Sequence, residues 1–126
     1  MKTYEQYKDS GVEWVFDIPI SWDVVRLKYL GYTYGGLSGK KGDDFRQEDH
    51  QDNRSFIPFT NVSNNFTIDT TDLRSVVIGE DESQSTVEAG DLFLLMGSES
   101  QEDVGKSSVL TDDIGEVYLN SFCRGF

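Results

Sequence analysis

Two Gly-Lys loops carry the residue types that hold phosphate: Gly105-Lys106-Ser107 within "VGKSSVL", and Gly39-Lys40-Lys41 within "SGKKG". A nucleoside-triphosphate loop needs a further glycine five residues ahead of the Gly-Lys pair, so that backbone N–H groups curl around the phosphates. It also needs a Ser or Thr after the lysine and then a helix. The upstream positions here are Ser100 and Tyr34, and Lys41 stands where the second loop requires a hydroxyl. The run after Lys106, "SSVLTDDIG", is β-branched and turn-ended instead of helical. Neither loop meets the spacing, so no nucleotide is expected to bind through them.

Other chemistries are equally hard to seat. A methyltransferase acting on a base amino group needs an Asn/Asp-Pro-Pro-aromatic loop and a glycine-rich turn for S-adenosylmethionine. The two prolines, Pro19 and Pro58, stand far apart. His50 sits among carboxylates in "EDHQD", which could in principle hold a divalent cation, but no ligand spacing supports a metal there. Ser107 and Ser108 have no base nearby in sequence, and His50 is the single histidine. The single cysteine, Cys123, reads as a small core residue. It can form neither an internal disulfide nor a zinc set, and a reducing cytoplasm fits that usage. No apolar run approaches the roughly 20 residues of a membrane span, and "MKTYEQYKDSG" lacks the apolar centre of a signal peptide. A non-enzyme with no cofactor and no metal is the expectation.

Binding is easier to seat. From Gly31 to Gly42 the chain carries five glycines with Tyr32, Tyr34 and Leu37 between them, and long loops of this kind are usually functional or disordered. Ser38, Lys40, Lys41, Arg46 and Arg54 lie in or beside this segment, with Phe45. Glycines admit a phosphate close to the backbone, lysine and arginine neutralise it, and Ser or Asn side chains can read base edges. Asn61, Lys106 and Ser107 fit the same pattern, while Arg26 and Lys28 could serve or simply face water. A solvated loop is the plain alternative.

The elements that must position these residues are mostly short strands. Residues 1–18 read as a polar arm with aromatics at Tyr4, Tyr7 and Trp14. After Pro19 a turn leads into a short strand through Trp22, Val24 and Val25, with "RLKYL" extending it or forming a helical turn. "DDFRQEDHQDN" suggests one helical turn capped by Asp43 or Asp44. "SFIPFTNV", Ser55 to Val62, reads as an edge or bulged strand because Pro58 cannot donate to a ladder. "FTID", "RSVVI", "SSVL" and "EVYLNSFCRGF" are further strand candidates. "LFLLM", entered by Ala89-Gly90-Asp91, is a continuous apolar run suited to a central strand buried on both faces. Trp22, Ile57, Phe59, Val77, Leu94 and Val109 are the expected core. One sheet-rich α/β domain over residues 1–126 follows, reading as cut short because Phe126 falls inside a strand pattern.

Six segments together resemble the target recognition domain of the specificity subunit of type I restriction-modification enzymes. They are "YKDSGVEWVFDIPISWDVVRLKYL", "GLSGKKGDDF", "FIPFTNV", "VEAGDLFLL", "VGKSSVL" and "YLNSFCRGF", in the family's order. The resemblance implies a sheet-rich α/β domain that recognises one half of a split duplex DNA target and has no catalysis of its own. It also implies partners: modification subunits that transfer methyl groups, and a restriction subunit that translocates and cleaves DNA. Family members usually carry two recognition domains joined by long helical spacers, and these 126 residues are expected to form part of one such domain.

Charge sets the rival reading. The net charge is −12, from 23 acidic and 11 basic residues. Residues 1–68 are nearly balanced with 10 acids and 8 bases, whereas residues 69–116 hold 13 acids and 2 bases. A DNA face is therefore confined to residues 26–62 plus Lys106, since phosphate affinity rests on Lys and Arg. A small acidic protein can instead imitate DNA and occupy a restriction enzyme. Many of the acids here sit at turns, such as Glu80-Asp81-Glu82 and Asp112-Asp113, where Asp has a local structural use.

Overall fold

The computed structural model describes residues 3–46 and 48–126, and the chain divides into two compact units, one up to Tyr32 and one from Thr33 to Phe126. In the first unit, β1 (Tyr7–Asp9) pairs antiparallel with β2 (Asp17–Pro19), with Lys8 opposite Ile18. The Asp9-Ser10-Gly11 cluster turns the chain. Asp9 Oδ1 accepts the Gly11 N–H at 2.8 Å, and Gly11 takes the left-handed conformation that lacks a Cβ penalty. The segment read as an arm thus carries a hairpin over its described residues; Met1 and Lys2 lie outside them. The strand expected around Trp22, Val24 and Val25 is irregular chain, and "RLKYL" forms a 3₁₀ turn over Leu27–Tyr29. Trp22 is not core: it is 52% exposed, with its ring edge-on to Tyr4 at 5.8 Å.

The second unit begins with β3 (Tyr34–Gly35) and a 3₁₀ turn at Gly42–Phe45, followed by β4 (Asn53–Ile57), α1 (Phe59–Asn64) and β5 (Arg74–Val77). It continues through β6 (Leu92–Leu95), β7 (Ser107–Val109), β8 (Val117–Leu119) and β9 (Cys123–Gly125). One sheet has the order β3-β9-β6-β7, all antiparallel; the other has the order β5-β4-β8, with β4 and β8 parallel. Among the described residues the protein is therefore a β-dominant mixed α/β chain with three small sheets and one short α-helix. Among the described residues no helix is long and apolar enough to cross a membrane.

Pro58 divides what reads as one strand. The residue before a proline favours extended backbone, so "SFI" completes β4. Pro58 then stands at the N-cap of α1, where its missing N–H costs nothing. The polar turn expected from "DDFRQEDHQDN" starts one residue earlier, at Gly42. Asp44 caps it by accepting the Lys41 N–H at 2.7 Å, and Gln47 lies outside the described residues.

The main core joins the two sheets: Ile57, Val117 and Leu119 from one side meet Phe93, Leu95, Leu110 and Cys123 from the other, with Val62 of α1. A second cluster of Leu37, Phe56, Val76, Ile78 and Tyr118 fills the opposite face of β5-β4-β8. β6 is interior, as its apolar run implies, but its burial alternates: Phe93 and Leu95 are sealed while Leu92 and Leu94 stay half-buried. The same alternation displaces the other expected core positions by one. Val76 is buried and Val77 half-buried; Ser108 and Leu110 are buried and Val109 half-buried. Strand side chains alternate faces, so a β-branched run does not itself say which member points inward. Ile57 is buried as expected, whereas Phe59 is exposed beside Phe122.

Candidate nucleic-acid interface

The glycine-rich loop is an ordered strap. Gly36 lies so close to the β8–β9 connection that a Cβ there would meet Asn120 O at 1.8 Å, and Leu37 N–H donates to Leu119 O at 2.7 Å. Ser38 is clipped reciprocally to Gln84: its N–H donates to Oε1 at 3.1 Å, and Gln84 Nε2 donates to Ser38 O at 2.8 Å. Lys40 then turns inward. Its side chain is only 7% exposed and its Nζ donates to Glu82 Oε1 at 2.7 Å. That bond, with the Gly79 N–H and the Gln84 amide, holds the Glu82 carboxyl down to about 2. Lys40 is thus a strut between two loops.

The remaining candidates divide into three places. Lys41 and Arg46 flank the 3₁₀ turn, exposed and without an ion pair among the described residues; Arg46 borders a shallow hollow with Phe45, Glu48 and Ser75. Arg54 lies 3.4 Å from Glu116. Glu116 also accepts the Tyr118 hydroxyl at 2.6 Å, and burial together with that carboxylate pushes the Tyr118 phenol up to about 12. Asn61 is fully buried. Its Nδ2 donates to Asp69 O and Asp72 O, each at 2.9 Å, and its Oδ1 accepts Asp69 N–H at 3.0 Å and Asn65 Nδ2 at 3.1 Å. Those partners use its whole hydrogen-bonding capacity, so Asn61 ties the 65–72 loop to α1 and presents no edge to a base.

Lys106 occupies a different surface. α1 packs against β6 and β7, whereas the 3₁₀ turn beside Lys41 packs against β5. Gly105 adopts the left-handed conformation that turns the chain into β7. Lys106, 46% exposed, and Ser107 line a hollow of about 380 Å³ with Ser63, Asn64, Asn65 and Phe66. Phe66 is 92% exposed. Lys106 Nζ lies 2.6 Å from Asp103 Oδ1. The amide-rich "SNNF" escaped the sequence reading because "FTID" was assigned to a strand; Thr67 in fact makes only an isolated bridge to Val109. The run of three polar side chains before a phenylalanine was the available signal.

Among the described residues no group of three or more His, Cys, Asp or Glu is placed to hold a metal, and His50 instead accepts the Asp52 N–H on Nδ1 at 3.0 Å. Cys123 is buried against Asn120, and that burial raises its thiol. No family model, curated protein or solved structure matches the chain.

Proposed function

We propose that this chain recognises duplex DNA, as the part of a type I restriction-modification target recognition domain that its six segments resemble, and that it carries no catalysis of its own. The observation that carries the reading is the Lys106 hollow, where one exposed cation adjoins Ser63, Asn64, Asn65 and Ser107 beside an exposed aromatic ring. A lysine positions a phosphate while amide and hydroxyl groups read base edges. The Asp103 carboxylate on Lys106 is a ready surrogate for that phosphate. An exposed ion pair contributes only about 0–1 kcal/mol, so exchange of carboxylate for phosphate costs little. Lys41 and Arg46 supply further phosphate contacts on their own surface. In this reading, methyl transfer, translocation and cleavage belong to partner subunits.

The test is selection from random duplexes at low salt, with the chain alone and with the chain grafted into a full-length specificity subunit. Enrichment of a short motif in either format supports the reading, and none in both rejects it. A second reading, an acidic protein that occupies the DNA site of a restriction enzyme, draws on a specific observation: Lys40, Arg54 and Lys106 are each engaged by a carboxylate of the chain itself. Inhibition of such an enzyme by the chain, without binding to duplex DNA, is the result that selects it.

A further inference from the structure

A second hollow, of about 410 Å³, lies at the other end of α1, lined by Phe59, Phe122 and the loop residues Gly97, Ser98, Glu99, Ser100 and Asp103. Phe59 and Phe122 are 42% and 56% exposed, and their rings meet edge to face at 5.8 Å. Edge-to-face aromatic contact leaves part of each π-face for another group. The loop that follows β6 is held to the β8–β9 turn through the Met96 N–H, which donates to Phe122 O at 2.9 Å. Three chain segments therefore converge here: the Pro58 break before α1, the loop after β6 and the turn between β8 and β9.

We propose that this hollow receives a cationic side chain, an arginine or lysine, from a protein partner. Among the described residues its charged lining is anionic only. Glu99 has no ion pair among the described residues, and Asp103 shares its carboxylate with Lys106, which lines the neighbouring hollow. Aromatic faces attract cations through the ring quadrupole, and a carboxylate beside them completes a cradle for guanidinium or ammonium. A neutral apolar ligand would leave Glu99 desolvated without a partner, which disfavours it. The 13 acids against 2 bases in residues 69–116 steer a basic partner toward this half of the molecule. Arginine in an aromatic-lined pocket is also among the commonest energetic anchors of protein interfaces. The proposal stands without the DNA reading.

The test is an amide-resolved NMR titration of the whole chain with N-acetyl-argininamide, against N-acetyl-glutaminamide as the neutral control, at physiological salt. Shifts confined to Gly97–Asp103 and Phe122, with arginine only, are expected. Glu99→Gln and Phe122→Leu should each weaken the response by about threefold to tenfold, while Asp112→Asn, outside the hollow, should leave it unchanged. Both substitutions are at exposed positions, and each variant's own spectrum reports its fold. Shifts scattered over the acidic surface, equal shifts with the neutral amide, no shifts, or an unchanged response in both variants would each overturn the proposal.

Discussion

Asn61 shows how one polar residue can be spent on structure. Its side chain lies inside the protein with two carbonyls, a backbone N–H and a neighbouring amide as partners. Asn61→Ala should lower stability by about 2–3 kcal/mol in urea titration, because buried groups left without partners cost about 1–3 kcal/mol each. Lys40 is tied to Glu82 in a similar way, with a consequence for pH. The Glu82 carboxyl is lowered from 4.5 to about 2 when folded, so its contribution is fully present above pH 4.5 and is lost as pH falls toward 2. Lys40→Ala removes the largest cause of that lowering. Urea midpoints measured across the window should show a shallower acid dependence in the variant, and an unchanged slope would mean that Lys40 is no strut in solution.

At the scale of elements, close backbone approach holds the strap and the first sheet in place. Gly36 allows the loop to lie on the β8–β9 connection, and Gly125 makes room for the Tyr34 ring, which a Cβ would enter at 2.1 Å. Gly36→Ala and Gly125→Ala should each cost about 1–3 kcal/mol through overpacking. Gly42→Ala, where the nearest atom is Arg46 Nη2 at 4.0 Å, should change stability far less. Thermal melts of the three variants check the ranking. If Gly36→Ala melts like Gly42→Ala, the strap does not rest on the turn. Asn120 supports the same junction from inside, its Nδ2 donating to Ile57 O at 3.0 Å and its Oδ1 accepting Phe122 N–H at 2.9 Å.

At the scale of the molecule, the carboxylate excess decides which cations can meet an external anion. Lys106 is half-exposed on an exchangeable pair, whereas Lys40 is enclosed. If the chain binds duplex DNA, Lys106→Ala should reduce the slope of log affinity against log salt by about 0.9, the share of one phosphate contact. Lys40→Ala should leave the slope unchanged while lowering stability. Asn64→Ala should relax preference at one base pair without altering the slope, since a base contact releases no counterions. Fluorescence anisotropy over a salt series separates these outcomes. The far-UV circular dichroism of the whole chain should be β-dominated, given its single short α-helix among the described residues.

Composition and local chemistry were enough to make this a short-stranded, β-dominant chain, to exclude a nucleotide-loop spacing at both Gly-Lys pairs, and to place an interior strand in "LFLLM", though that strand ends at Leu95, is sealed on one face only and leaves Met96 exposed. Those features rest on residue type and near-neighbour spacing, which a sequence displays directly. The tertiary structure alone decided which member of each β-branched run faces the core, because alternation leaves two registers and only the opposing sheet selects one. It also turned "FTNV" from strand to helix, since six residues of indifferent helix propensity are helical only where Val62 and Asn61 pack inward. The fate of the Gly-Lys pairs was decided the same way. Lys40 and Lys106 have like neighbours in sequence, but a carboxylate 42 residues away closes over one of them, and an adjacent loop leaves the other at the surface. Long-range electrostatic pairing of this kind depends on where distant turns meet, which no local pattern encodes.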